Sequence, residues 1–264
     1  MIPDIRCEIL KLRTVWSTWV IMLIATAASA LLGLVVGFAP RRRAVESFAF
    51  PVRGTVRWFD LVLSTMTICV DLALVLGVIA ITGEYRHKTV TSTFLSEPRR
   101  GKVVGAKLFT GAWGGALVAV AGGAGALVLG FGLVAGGFGN TSRMLTEFRH
   151  VFPGVLAASF LFAVYGLGLG ALLKNQVVAL VVGLGASAVV EPIIVAVDPS
   201  VGRWLPDQAA SALESVTARA RGGGFFTTPG THLVTWWEGA LVLVAYGVVL
   251  SVAGAFTTLR ADVT

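Results

Sequence analysis

Apolar residues run almost unbroken over 15–38, 59–82, 103–137, 152–173, 177–197 and 236–257, and polar residues gather between these runs. Each run has roughly the 20 residues that a helix rising 1.5 Å per residue needs to cross a bilayer, or more. A backbone in hydrocarbon must satisfy its own hydrogen bonds, so each run is predicted to be a helix. The run 103–137 is longer than one crossing needs and shorter than two crossings with a turn, which predicts one long or bent helix. Ahead of the first run, Ile2, Ile5, Ile9 and Leu12 recur at helical spacing among Asp4, Arg6, Glu8, Lys11 and Arg13, the pattern of an amphipathic helix lying in the interface over 1–14. The longest polar connection, 198–235, is broken by Pro199, Pro206 and Pro229, and 207–220 within it has the composition of a short surface helix. The pattern predicts an all-α integral membrane protein, one transmembrane domain of six helices over 1–264.

Between the second and third runs lies the densest charge, GEYRHKTVTSTFLSEPRRGKVVGAK over 83–107. Glu84 precedes Lys88 by four residues, the favourable order for a helical ion pair, so the helix is predicted to continue past the membrane surface. Val90 and Phe94 fall four apart on one face, and Pro98 ends the helical stretch. A short exposed helix with one apolar edge results, followed by a basic Arg99-Arg100-Gly101-Lys102 connection. Such a segment must emerge from the bilayer, and basic loops favour the cytoplasmic side. Charge alone does not orient the chain, because that topology divides the 21 Lys and Arg almost evenly between the two sides.

Composition excludes several classes. With 56% hydrophobic residues, 13% charged residues and a mean hydropathy of +0.84, an ordinary soluble domain is excluded. The net charge of +7 is spread over loops rather than gathered with aromatics on one soluble face, so the expected counter-charge is lipid headgroup and not nucleic acid. Cys7 and Cys69 fall in different settings and build no disulfide framework; His87, His150 and His232 stand apart, with no metal-ligand spacing. No phosphate loop and no nucleophile constellation is present, so no catalytic residue is assigned and the chain does not hydrolyse ATP by itself.

Two polar features sit inside apolar runs. At 100° per residue Asp60, Ser64, Thr67, Asp71 and Thr82 project from nearly one face of the second span, with Asp71 near its middle. That face either lines a translocation route or subunit interface, or holds a neutral Asp71 bonded to a neighbouring helix. Glu191-Pro192 interrupts the fifth span and reads either as a kinked gate or as a structural bend.

The loop GEYRHKT followed by TFLSEPRRGKVVGAKL resembles the cytoplasmic loop of ABC-2 type membrane permeases of the actinobacterial kind. EILKLRTVWSTW is similar to that family's amphipathic entry helix, and RWLPDQAASAL to its outer loop before the last span. The resemblance implies a permease subunit of an ATP-driven exporter in the cell membrane, both termini cytoplasmic. It implies a coupling helix between spans two and three that docks on a separate ATPase, with Glu84, Tyr85, Arg86, His87, Thr89, Val90, Phe94, Arg99 and Arg100 at the docking surface. Its implied partners are two ATPase copies carrying the ATP and Mg, a second permease chain, identical or paralogous, and a hydrophobic small molecule such as a drug, antibiotic or lipid. From the residues alone, a self-contained carrier or channel using Asp71 and Glu191 as proton or cation groups remains the alternative.

Overall fold

The computed structural model describes residues 10, 12, 14–38, 54–86, 100–214 and 234–261. The predicted interfacial helix over 1–14, apart from helical Leu10, Leu12 and Thr14, and the coupling segment 87–99 therefore lie outside the described residues. Among those described, every regular element is a helix: α1 (Trp16–Phe38), α2 (Val56–Leu63), α3 (Ile68–Arg86), α4 (Arg100–Ala135), α5 (Thr141–Leu173), α6 (Gln176–Gly185), α7 (Glu191–Val197), α8 (Pro199–Gly202), α9 (Pro206–Leu213) and α10 (Trp236–Ala261). A 3-10 turn, Ser64–Thr67, joins α2 to α3, and a π turn, Ala186–Val190, joins α6 to α7. Six stretches are long and apolar enough to cross a membrane: Trp16–Phe38, Trp58–Arg86, Gly105–Ala135, Thr141–Leu173, Gln176–Val197 and Trp236–Gly254. The described residues are thus all-helical in their regular structure and give the chain multi-pass membrane character.

Packing fixes the helix directions. Leu74 meets Gly166 while Val78 and Thr82 meet Gly170, so α3 runs parallel to α5; Gly247 faces Val164 and Gly254 faces Ala171, so α10 does too. Along α4, Gly111, Gly123 and Gly130 face Leu167, Phe152 and Met144 in reverse order, which makes α4 antiparallel to α5. Gly33 and Gly37 of α1 face Leu129 and Leu133, so α1 follows α4. The helices alternate in direction, and the start of α1, the end of α3, the start of α4 and the end of α10 share one end of the bundle, here the Arg86 end. The opposite one is the Thr141 end.

Small residues permit the closest crossings. A Cβ on Gly77 would collide with the Ala163 carbonyl of α5, and one on Gly166 with the Leu74 carbonyl of α3, so these two backbones touch directly. Thr26 adds a polar tie across α1 and α4, its hydroxyl donating to the Ala121 carbonyl at 3.0 Å. The core falls into three apolar clusters: one around Met66, Val118 and Val155, one around Leu74, Phe162 and Leu243, and one of Trp58, Phe59 and Met144 at the Thr141 end. The apolar faces of α1, α6 and α10, including Leu23, Val181 and Val249, are exposed, as lipid-facing helices require.

Caps set several boundaries. Asn140 accepts from the Ser142 amide at 2.8 Å and starts α5 eleven residues before the apolar run 152–173 begins. That early turn is held by Met144 and Val151, both buried, although its composition is polar. The two-residue turn after α5 uses Lys174 in the left-handed region (φ 54°), whose amide donates to the Gly170 carbonyl, and Asn175, whose side chain accepts from the Val177 and Val178 amides. Of the short helix expected over 207–220, Pro206–Leu213 is observed, and 215–220 lie outside the described residues.

Candidate functional site

At the Arg86 end, α3 ends and α4 begins on either side of residues 87–99. Glu84 and Lys107 form an ion pair across these arms, and both side chains are about nine-tenths buried (11% and 12% exposed). The pair joins one residue near the last turn of α3 to one in the second turn of α4, so the helix ends that flank 87–99 are clamped together. Tyr85 is partly buried and Arg86 exposed beside it. Arg100 begins α4. His87, Thr89, Val90, Phe94 and Arg99 lie outside the described residues.

The polar face expected along the second span is broken. The 3-10 turn at Ser64–Thr67 advances about 120° per residue instead of about 100°, so over four residues it rotates Asp60 and Asp71 roughly 80° further apart than a continuous helix places them. Asp60 and Thr82 are buried, whereas Ser64, Thr67 and Asp71 are half-buried. Two of the hydroxyls bond within their own helix, Ser64 to the Leu61 carbonyl at 2.8 Å and Thr82 to the Val78 carbonyl at 2.7 Å. Thr65, outside the expected face, places its hydroxyl between the Val62 carbonyl one turn back, at 2.7 Å, and the Ser29 carbonyl of α1, at 3.2 Å. Asp71 has no hydrogen bond or ion pair among the described residues.

Glu191 is placed by an unusual piece of helix. Ala179, Gly183, Ser187, Glu191 and Val195 are all buried at strict four-residue spacing, while Val189, Val190 and Ile193 are exposed. In a continuous α-helix such a stripe would drift by about 160° over its length. The π turn at Ala186–Val190 turns less per residue and takes up part of that drift, keeping Glu191 on the inward face. There its carboxylate accepts from the Asp207 amide at 2.9 Å and from the Gln208 amide. Asp71 and Asp207 lie within electrostatic reach of it, as does the Tyr165 phenol, whose ring packs edge-on against Tyr246 at 6.2 Å.

The bond from Asp207 to Glu191 joins positions sixteen residues apart, and nothing local in either stretch marks it. The signal open to sequence reasoning was the missing cap: Pro206 starts α9, and Leu205 before it carries no side-chain acceptor. Asp198, by contrast, caps its own helix. It accepts from the Ser200 hydroxyl and from the Ser200 and Val201 amides, and these bonds hold its carboxyl below the usual carboxylate range. Among the described residues no group of His, Cys, Asp or Glu is arranged to hold a metal ion.

Comparison with protein-family models, with curated proteins and with solved structures finds no match.

Proposed function

We propose that the chain is the permease subunit of an ATP-driven ABC-2 type transporter, exporting a lipophilic compound across the cell membrane. In this reading the Arg86 end and both termini are cytoplasmic, 1–14 lies in the interface, 87–99 carries the coupling helix, and α8–α9 belong to the outer connection. Two such chains, identical or paralogous, flank the path, and two copies of a separate ATPase supply ATP and Mg. The observation that carries the reading is the Glu84–Lys107 clamp. A coupling segment passes on displacement only if its arms are rigid where they enter the membrane, and here a buried ion pair ties the arms of two membrane-length helices beneath a loop whose wording resembles the family's docking segment.

The direct test is co-purification of a partner ATPase subunit with wild-type and Phe94→Asp protein inserted to equal levels. Placing a charge in an apolar groove is expected to cost several kcal/mol if the charge stays unpaired, which removes most of the recovered ATPase. Full recovery with unchanged substrate-stimulated turnover would take this loop out of the mechanism.

Asp71 supplies a second expectation. Half-buried near mid-span, with no hydrogen bond or ion pair among the described residues, it faces protein or a hydrated path in this reading. Asp71→Asn keeps the hydrogen-bonding shape and is expected to retain transport, while Asp71→Leu and Asp71→Lys lose most of it. Equal export by the leucine variant in vesicles would show that the carboxylate has no part in the path.

A further inference from the structure

α9 is short and sits in a prepared groove. Its buried face is built from Pro206, Ala209, Ala210 and Ala212, and the groove comes from two glycines on flanking helices. A Cβ on Gly239 of α10 would crowd the Ala209 carbonyl at 2.6 Å, and one on Gly154 of α5 would collide with the Leu213 carbonyl. Ala209 and Ala210 thereby reach the cluster of Val70, Leu74, Phe162 and Leu243, one of the three apolar clusters of the core. These alanines bury little area each, so the apolar grip on an eight-residue helix is weak. An isolated helix of this length does not hold its own fold. Something must fix its start.

Pro206 has no amide hydrogen, so the first donors needing a partner are those of Asp207 and Gln208, and Leu205 offers none locally. Both donors go to Glu191. A carboxyl oxygen placed there gives these two amides the acceptor that an N-cap side chain would otherwise supply. The π turn is what brings Glu191 there.

We propose that Glu191 is a positioning residue, a cap supplied from α7 that latches α9 into the groove between α5 and α10 and so keeps the α8–α9 segment closed over the Leu74–Phe162–Leu243 cluster. When the latch opens, α9 leaves the groove and exposes that cluster from the Thr141 end. The latch stands on packing and hydrogen bonding alone and is independent of whether an ATPase drives the chain.

The test is thiol accessibility in lipid nanodiscs. Ala210, 2% exposed, becomes Cys in a Cys7→Ser, Cys69→Ala background, with a second reporter, Ala163→Cys, at a fully buried site where α5 packs on Gly115 of α4. With fast opening and closing, labelling by a polar maleimide tracks the open population. Glu191→Ala is expected to raise labelling at 210 by about tenfold, as loss of a cap of ordinary strength does, and to leave 163 protected. Glu191→Gln keeps an acceptor oxygen and is expected to raise it by less. The decisive variant is Leu205→Ser added to Glu191→Ala. Leu205 already has the extended backbone of a cap residue (φ −74°, ψ 153°), so serine there can cap α9 locally and is expected to restore slow labelling. Unchanged labelling at 210 in Glu191→Ala would overturn the proposal. So would failure of Leu205→Ser to restore protection, including the case in which Glu191→Ala exposes 163 as well and the added serine does not bring the fold back.

Discussion

Gly77→Leu should leave no folded, monodisperse protein, and Gly77→Ala should already lose stability. The position has no room to give, because the atom that an added Cβ would strike is the Ala163 carbonyl of α5, a backbone atom inside a helix. A flexible side chain can rotate away, but a helix backbone moves only with its whole element. Any shift of α5 would also disturb the reciprocal contact in which Gly166 lies on the Leu74 carbonyl. Overpacking of a tight core costs about 1–3 kcal/mol for modest insertions and more when backbone must move. Gly83 sits six residues further along the same helix, with nothing among the described residues within 4 Å of a Cβ. There alanine should stabilise by up to ~1 kcal/mol, since glycine in a helix interior is the less favourable residue. The paired measurement is size-exclusion recovery after a heating series: Gly77→Ala should melt below wild type and Gly83→Ala at or above it. Equal midpoints for the two would mean that the α3–α5 crossing is looser than this contact requires.

The contrast between these two glycines marks what the sequence could and could not reveal. Six helices of membrane length were legible because hydrocarbon leaves a residue-level record, and the runs ending at Leu173 and Val197 end there in the structure too. Which glycines lie at contacts was not legible. Gly111 and Gly115 press on α5, while Gly132, in a pair with the same spacing, meets nothing. Spacing within one helix does not say where its neighbours are. The start of α5 was hidden because residues 141–151 are polar in composition, although Asn140 carried a cap signal and Met144, Val151 and Val155 a buried stripe.

The 3-10 and π turns were illegible for a deeper reason. They change which carbonyl an amide bonds, a backbone choice that no residue type encodes strongly, yet each rotates everything beyond it. The first split the expected Asp60–Asp71 face and the second turned Glu191 inward. Reading Glu191 with Pro192 as either a gate or a bend missed its partner, which begins sixteen positions later in α9.

Reversing Lys107 to Glu should uncouple the two arms of the 87–99 loop, and reversing Glu84 to Lys as well should restore much of what was lost. Exposed ion pairs contribute about 0–1 kcal/mol, whereas removing one partner of a buried pair costs about 3–5 kcal/mol. With both side chains about nine-tenths buried, this pair belongs near the upper range, and Lys107→Glu adds repulsion between two carboxylates. The double reversal keeps opposite charges at the same sites but exchanges a long side chain for a short one, so rescue should be partial. Two readouts separate position from fold. Hydrogen exchange in 80–86 and 100–107 should accelerate in the single variant by more than tenfold, the factor that 1.4 kcal/mol represents, while amides around Gly166 keep their protection. Substrate-stimulated ATPase turnover in the assembled complex should fall in the single variant and recover in the double, because a segment whose arms no longer move together absorbs displacement. Local loosening with turnover unchanged would make the clamp purely structural and remove the main support for placing the coupling segment here. Unchanged exchange in the single variant would show that the Glu84–Lys107 pair contributes no more than an exposed one, and that other contacts hold α3 and α4 together at this end.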